Sequence, residues 1–339
     1  QLVREQGDGQ KALVDVLKTQ LRPDAFAAAA ENSLHFRRLR EVITALAEVG
    51  IVPVVLKGAA LAGWVYGDAN WRTMSDVDLW VRMADMEGAV RALHGAGFGV
   101  HSKEDRPLRL QLLGDGEVQL YDEHGRLVEV HGSPLHGWWL QRTAALDVEG
   151  MWERACEYEL PGGGGMARRL AAEDCVIQVA VHLAVNHQFG LAGVRALVDV
   201  ALVAREAGVD WALVARRARA QRVGTAVWVV LELLRALIGV EGVEEALARL
   251  RPGAARRWLL GRLVSPEGVL RGRDLRGGGG RWAGLRRYLL LLLLVDRGRD
   301  AVRLVWRALW PERAWVAARY GAGVGRLGHL WRVVRKGGV

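Results

Sequence analysis

Cysteine is nearly absent from this chain: among 339 residues only Cys156 and Cys175 carry a thiol. Two cysteines without paired spacing exclude a disulfide scaffold and a zinc ribbon. They suit a reducing compartment, so a cytoplasmic location is the expectation. Lysine is almost as scarce and is confined to Lys11, Lys18, Lys57, Lys103 and Lys336. Long apolar runs are missing too. The longest, Tyr288 through Val295, falls far short of the ~20 residues that span a bilayer, so no transmembrane segment is expected. From Gln1 onward the chain is polar and then helix-patterned, without the basic start and apolar core of a signal peptide. Its start at Gln1 rather than Met reads as the interior of a longer chain. No internal repeat stands out.

What is present is an ordinary balance of 25% charged and 51% hydrophobic residues, in a chain long enough for two or three domains with substantial cores. Its charge is unevenly spread. From Arg251 to the end there are 20 basic residues against five acidic ones, and this net +15 leaves the first 250 residues at −6 within a total of +9. In that tail Arg256, Arg257, Arg262, Arg281, Arg286, Arg287, Arg303, Arg307, Arg313 and Arg319 alternate with apolar residues and with Trp258, Trp282, Trp306, Trp310 and Trp315. Such interleaving suits stacking on RNA bases, and it equally suits amphipathic helices facing water or an anionic membrane. Overall bias toward Arg, Ala, Gly and Trp accounts for the same pattern without a ligand.

Punctuation outlines the architecture. Residues 10–50 read as helices ending at Val49-Gly50. Strand and helix patterns then alternate over Val52–Leu56, Ala59–Tyr66, Val77–Val81 and Met83–Ala96, with strand-like pieces near Phe98 and over Glu117–Tyr121 and Leu127–His131. This predicts an α+β fold, a small mixed sheet with helices packed on it. Pro161-Gly162-Gly163-Gly164-Gly165 reads as a flexible break. Beyond Ala167 the pattern is helical over Glu173–Gln188, Val194–Ala207, Trp211–Gln221 and Ala226–Ile238, and Gly277–Gly280 sets off a last helical group. The expected units are an N-terminal helical segment (1–50), a catalytic domain (51–160), a helical domain (166–250) and a basic helical segment (251–339).

Chemistry concentrates in Ser75-Asp76-Val77-Asp78-Leu79-Trp80-Val81. Strand side chains alternate faces, so Asp76 and Asp78 project from one side and would repel each other unless a cation lay between them. Magnesium, a hard ion held by one or two carboxylates plus substrate phosphates, fits that place. Upstream, Lys57-Gly58 joins a short buried strand to a helix-like run. A glycine there lets backbone N–H groups approach an anion at a helix N-terminus, with the Lys57 charge beside it. Glu129 and His131 share a face of a later strand, so three carboxylates could hold two metal ions that clamp the attacking and leaving oxygens of a phosphoryl-type transfer.

Taken together, Lys57-Gly58, Tyr66, Arg72, Ser75-Asp76-Val77-Asp78-Leu79, Gly97-Phe98 and Glu129-Val130-His131 resemble the uncharacterised nucleotidyltransferase family of the DNA polymerase beta superfamily. The likeness continues through Asp174-Cys175, His182, His187, Val194 to Asp199 and Asp210-Trp211, so it covers roughly residues 35 to 240. Superfamily members generally carry a glycine-serine pair ahead of the acids. Here the step is Gly58-Ala59, so Lys57 or backbone amides must replace the serine hydroxyl, and the gap to Asp76 is longer than usual.

The resemblance implies a magnesium-dependent enzyme that moves a nucleoside monophosphate from a nucleoside triphosphate to a hydroxyl or phosphate. Asp76 and Asp78 would bind both metal ions and Glu129 the ion that activates the acceptor, while Lys57, Gly58, Arg72 and Ser75 would line the phosphates. Small-molecule and peptide acceptors of a biosynthetic pathway, the 3′ end of an RNA drawn to the basic tail, and a non-catalytic nucleotide-binding module are the readings left open.

Several residues carry two readings. Arg72 either pairs with Asp68 on the surface or meets the phosphates; Ser75 can be a simple turn residue; Tyr66 reads best as a packing residue with a hydrogen-bonded hydroxyl. On an α-helix His182 and His187 would lie roughly 140° apart, which does not suit a zinc pair; the resemblance puts them near the cleft. His131 is expected to orient Glu129 or to help deprotonate the acceptor. Asp199 is expected to pair with Arg195, four residues earlier on a helix.

Overall fold

A computed structural model of the chain describes residues 8–101, 116–163, 165–190, 193–272, 281–321 and 323–336, of which 8–25, 281–283, 318 and 333–336 by backbone alone. The glycine run Gly277–Gly280 and the side chains of Lys103, Arg281 and Trp282 lie outside the described residues.

The fold is α+β, as expected. It opens with one long helix, α1 (Asp8–Ala47), which stops where Gly50 takes a left-handed φ of 75° and Ile51 N–H donates back to the Leu46 carbonyl at 2.9 Å. Seven strands follow: β1 (Val54–Val55), β2 (Asp76–Trp80), β3 (Gly99–His101), β4 (Glu117–Tyr121), β5 (Leu127–His131), β6 (Cys156–Glu159) and β7 (Met166–Arg169). They form one sheet in the order β3-β4-β5-β2-β1-β7-β6. The β2–β5 and β1–β7 pairs are parallel and the others antiparallel, so the sheet is mixed.

Two strand expectations, Glu117–Tyr121 and Leu127–His131, hold to the residue. The strand expected over Val52–Leu56 contracts to two residues, next to a proline that has no N–H to give a ladder. The run from Pro161 to Gly165, expected as a flexible break, is instead the turn of the β6–β7 hairpin: Leu160 N–H donates to the Gly165 carbonyl, and Gly162 and Gly163 take left-handed φ. Beyond that turn β7 pairs with β1, so the sheet continues past the glycines.

Alternation along β2, β4 and β5 sorts the sheet into two faces. Val77, Leu79, Val118, Leu120, Val128 and Val130 are buried on one face against Phe36, Leu39, Val42, Ile43 and Leu46 of α1 and against α3 (Met86–Gly95). Each such side chain contributes on the order of 1.5–3 kcal/mol on burial, so register is strongly fixed: a one-residue slip would bury the acids instead. A second core lies among the later helices α4 (Trp138–Thr143), α5 (Val148–Glu153), α6 (Ala172–Val181), α7 (Gly193–Ala207), α8 (Trp211–Ala220) and α9 (Gly224–Leu237) and reaches Val54, Leu56 and Trp80. The tail joins this core. Leu290, Leu291, Leu294 and Val295 pack within it, and the Asp296 carboxylate accepts from the Gly224 and Thr225 amides at the start of α9, at 2.8 Å each. No helix of the described residues is long and apolar enough to cross a membrane.

Helix α2 (Lys57–Trp64) sits between the two cores, with Ala59, Ala60 and Ala62 in one and Leu61 in the other. A helix with apolar residues all round must be enclosed. Tyr158 on β6 fixes it by donating to the Ala59 carbonyl at 3.0 Å, and Gly63 makes the close approach possible. A Cβ at Gly63 would stand 2.3 Å from the Tyr158 hydroxyl and 2.6 Å from the Pro161 ring. Gly63→Ala is therefore expected to destabilise the protein by about 1–3 kcal/mol through overpacking, read as a lower urea midpoint with an unchanged slope.

Candidate functional site

The face of the sheet away from α1 carries the ionisable residues. On it the parallel β2–β5 pair sets Asp78 beside Glu129 and Trp80 beside His131, and the antiparallel β4–β5 pair sets Gln119 beside Glu129 and Glu117 beside His131. Side-chain alternation puts Asp76 on the same face. Gln119 Nε2 donates to Glu129 Oε1 at 2.6 Å and holds that carboxyl in place.

Lys57, the first residue of α2, has a φ of 48°, a left-handed conformation that costs a non-glycine residue on the order of 1–2 kcal/mol and is typical of functional positions. From there its Nζ donates to Asp78 Oδ1 at 2.6 Å, and His131 Nε2 lies 2.8 Å from the same oxygen. His131 was expected to orient Glu129, but the distance to Glu129 Oε2 is 3.7 Å, so the group it holds is Asp78. Ser75 Oγ donates to Asp76 Oδ1 at 3.1 Å and lies at the cleft rim, which gives it more than a turn role.

Electrostatics follow from this packing. Burial opposes the charge on Asp78, but Lys57 and His131 overcome it and hold its carboxyl far below the usual range. Burial and then the charge of Asp78 push Glu129 up to about 8 and raise Asp76 as well. Burial and neighbouring His136 bring His131 down to about 4, so its ring is neutral at pH 7. Burial works against the charge on Lys57, but Asp78 outweighs it and leaves the ammonium more firmly protonated than usual.

The opposite wall departs from expectation. Asp199 was expected to pair with Arg195; it pairs instead with Arg72 through two parallel bonds, Nε to Oδ1 at 2.7 Å and Nη2 to Oδ2 at 2.8 Å. Tyr66 donates its hydroxyl to Asp199 Oδ1 at 2.6 Å, in keeping with the packing reading. Asp68, the other candidate partner of Arg72, accepts from the Asn70 amide. Arg72 lines the cleft but gives much of its hydrogen-bonding capacity to Asp199 and the Thr73 carbonyl. Its loop is clamped from α1 by fully buried Asn32, whose Nδ2 donates to the Ala69 and Arg72 carbonyls at 2.9 and 2.8 Å. Arg195 is thereby released into the cleft, where burial and the charge of Arg72 lower its pKa.

His182 and His187 also come out differently. Residues 182–187 form a π-helical turn in place of the expected α-helix, and the wider turn brings the two rings edge to face at 4.5 Å instead of on separate sides. Both line the cleft. Such single π turns are frequent at functional sites.

The cleft has a volume of about 240 Å³ and is bounded by Lys57, Gly58, the loop from Arg72 to Asp76, Asp78, Glu129, the π turn and the first turns of α7. It therefore gathers all the expected site residues except His131, which lies behind Asp78. A Cβ on Gly58 would stand 3.0 Å from Met74 Cγ and 3.5 Å from Arg72 Nη1, so glycine keeps that wall close. Asp78, Glu129 and His131 offer ligand atoms within 4.8 Å of one another, and a divalent cation would relieve the repulsion that forces Glu129 to keep its proton. Asp76 flanks this group without belonging to it. Gln119 and Asn32 went unrecognised in the sequence, and Arg195 was read there only as the partner of Asp199. Gln119 had a signal, its place opposite Glu129 on a well-defined strand; the other two depend on distant partners.

A model of a family described as uncharacterised nucleotidyltransferase matches residues 4–239. Among solved structures, an antigenic nucleotidyltransferase-like protein from Paracoccidioides brasiliensis is similar at 15% identity and a TM-score of 0.40, over 66% of this chain and 96% of its own. No curated protein sequence matches.

Two stability measurements test this geometry. Glu129 ionises near 4.5 when unfolded and near 8 when folded, so in chelator the fold loses stability as pH rises between those values. Glu129→Gln abolishes that loss: it is expected to match wild type below pH 4.5 and to exceed it by on the order of 2–4 kcal/mol above pH 8, by urea titration. Asp199→Asn strands the buried Arg72 charge and is expected to cost about 3–5 kcal/mol, against about 1 kcal/mol for Tyr66→Phe.

Proposed function

The chain belongs to the uncharacterised nucleotidyltransferase family, and from that premise we propose that it transfers a nucleoside monophosphate from a nucleoside triphosphate to a hydroxyl or phosphate of a small-molecule or peptide acceptor, in a biosynthetic setting. The observation that carries this reading is the acid pair Asp78 and Glu129, side by side on parallel strands, with Lys57 on one and a glycine-lined helix start next to both.

In this reaction the acceptor oxygen attacks the α-phosphorus, the bond to the bridging oxygen breaks, and pyrophosphate leaves with that electron pair. Asp76, Asp78 and Glu129 are the residues that would hold two magnesium ions. When bound, such ions lower the acceptor's pKa and neutralise charge on the triphosphate. Glu129 would be the acid whose ionisation bound cations favour, and Gln119 holds its carboxyl aimed at the cleft. Lys57, the Gly58 amide and Arg195 would hold the phosphates. Arg72 braces that wall and can add its remaining N–H groups, and Ser75 keeps Asp76 oriented.

A specific observation favours the small acceptor over an RNA end. Among the described residues none beyond Asp199 lines the cleft, so the described part of the basic tail contributes no wall to it. Several of its aromatic rings already have one of its own arginines over a face: Arg262 stands over Trp258 at 5.0 Å, Arg319 over Trp315 at 5.3 Å and Arg326 over Trp310 at 5.7 Å.

Calorimetry of each nucleoside triphosphate with Mg2+ tests the reading. Wild type is expected to bind one of them in a magnesium-dependent way, and an Asp76→Asn, Asp78→Asn double variant to lose that binding. Arg195→Ala removes one charge-assisted contact and is expected to weaken binding by about 10-fold or more. Equal binding by wild type and the double variant, or none by either, would sink the metal-carboxylate mechanism in favour of a non-catalytic module.

A further inference from the structure

His131 spends one ring nitrogen on Asp78, with Nε2 lying 2.8 Å from Oδ1. That contact uses Nε2 and leaves Nδ1 as the ring nitrogen available to another partner. Among the described residues that nitrogen has no hydrogen-bond partner, and the side chain is 0% exposed. What it faces is another acceptor: Glu117 Oε2, 3.5 Å away. The same carboxylate oxygen is 2.9 Å from His136 Nε2, and the His131 and His136 rings stack at 4.3 Å with 24° between their planes. A cation placed between Nδ1 and the Glu117 oxygen would satisfy both groups.

We propose that Glu117, His131 and His136 bind a zinc-class cation, through Glu117 Oε2, His131 Nδ1 and His136 Nε2, at a second metal site behind the acid face. The three ligand atoms lie within 4.8 Å of one another, and the two separations given above, 2.9 and 3.5 Å, bracket the roughly 3.3 Å between donors on a tetrahedral zinc ion. Two imidazole nitrogens and one carboxylate oxygen suit zinc and its neighbours, whereas magnesium takes oxygen ligands. This separates the site chemically from the Asp78–Glu129 face. The Asp78–His131 hydrogen bond is also what a metal-bound histidine requires: the nitrogen that does not bind metal donates to a carboxylate, which fixes tautomer and ring orientation. A cation here makes His131 a positioning residue, holding Asp78 from behind. Glu117 comes from β4, His131 from β5, and His136 from the segment that follows β5, so the cation would also tie that segment to the sheet.

The inference is independent of the transfer reaction. Its test is zinc binding by chelator-stripped protein, by competition with a chromophoric chelator, with the cobalt form read by its visible absorption. Wild type is expected to bind one equivalent and to melt at a higher temperature with zinc. Glu117→Gln and His136→Gln are expected to lower zinc affinity at least about 100-fold, while Asp76→Asn, which alters only the acid face, keeps the equivalent. No bound zinc in wild type, or zinc lost in Asp76→Asn and kept in Glu117→Gln, would overturn the proposal. Should either variant fail to fold, X-ray absorption of the wild-type zinc form decides: two imidazole nitrogens support the site, and one or none rejects it.

Discussion

The charge on Asp78 is the constraint around which the rest of the structure is arranged. A carboxylate with its side chain 4% exposed cannot stay ionised on its own, and here one oxygen takes both the Lys57 ammonium and a histidine N–H. That arrangement fixes the neighbours. Burial and the charge on Asp78 together push Glu129 up to about 8 and raise Asp76 as well, while Lys57 balances Asp78. Such a site is poised toward cations: each positive charge that enters allows one more carboxylate to ionise, so affinity is built from repulsion stored among fixed groups.

Holding that arrangement requires backbone placed to a fraction of an ångström, and the two cores supply it. The apolar face of the sheet locks β2 and β5 in the register that sets Asp78 beside Glu129. Helix α2, enclosed by both cores and pinned by Tyr158, carries Lys57 at its first residue in a left-handed conformation that an isolated peptide would seldom adopt. The strain is borne by the packing around it, so Gly63, which lines no wall of the cleft, bears on the geometry of the acid face through the position of α2.

Much of this was legible in the chain itself. Period-two alternation gave β4 and β5 to the residue, and the same alternation put Asp76 with Asp78 and Glu129 with His131 on shared faces. Local pattern could reach this far because strand faces depend on neighbours one or two residues away. It could not reach the β6–β7 hairpin, whose glycines look like a linker until β7 is seen beside β1, a strand more than a hundred residues earlier in the chain. Nor could it reach the π turn. The rotation between His182 and His187 is fixed only once the helix type is known, and Gln188 and Phe189, both at left-handed φ directly after it, show a local backbone shaped by tertiary packing.

The misreading of Asp199 is the most instructive of these. Four residues after an arginine on a helix, it had an obvious local partner, and exposed pairs of that kind contribute only about 0.3–0.5 kcal/mol. Arg72 outcompetes Arg195 because it arrives buried, on a loop clamped by Asn32, and can offer a planar fork to both carboxylate oxygens; a buried guanidinium without that partner would cost several kcal/mol. The larger penalty decides the pairing. Its consequence reaches the cleft, since the arginine that loses the competition keeps its donors for something else. The contest for Asp199 thus locks one arginine into the wall and, among the described residues, leaves the other facing the cleft, from residues that look interchangeable in the sequence.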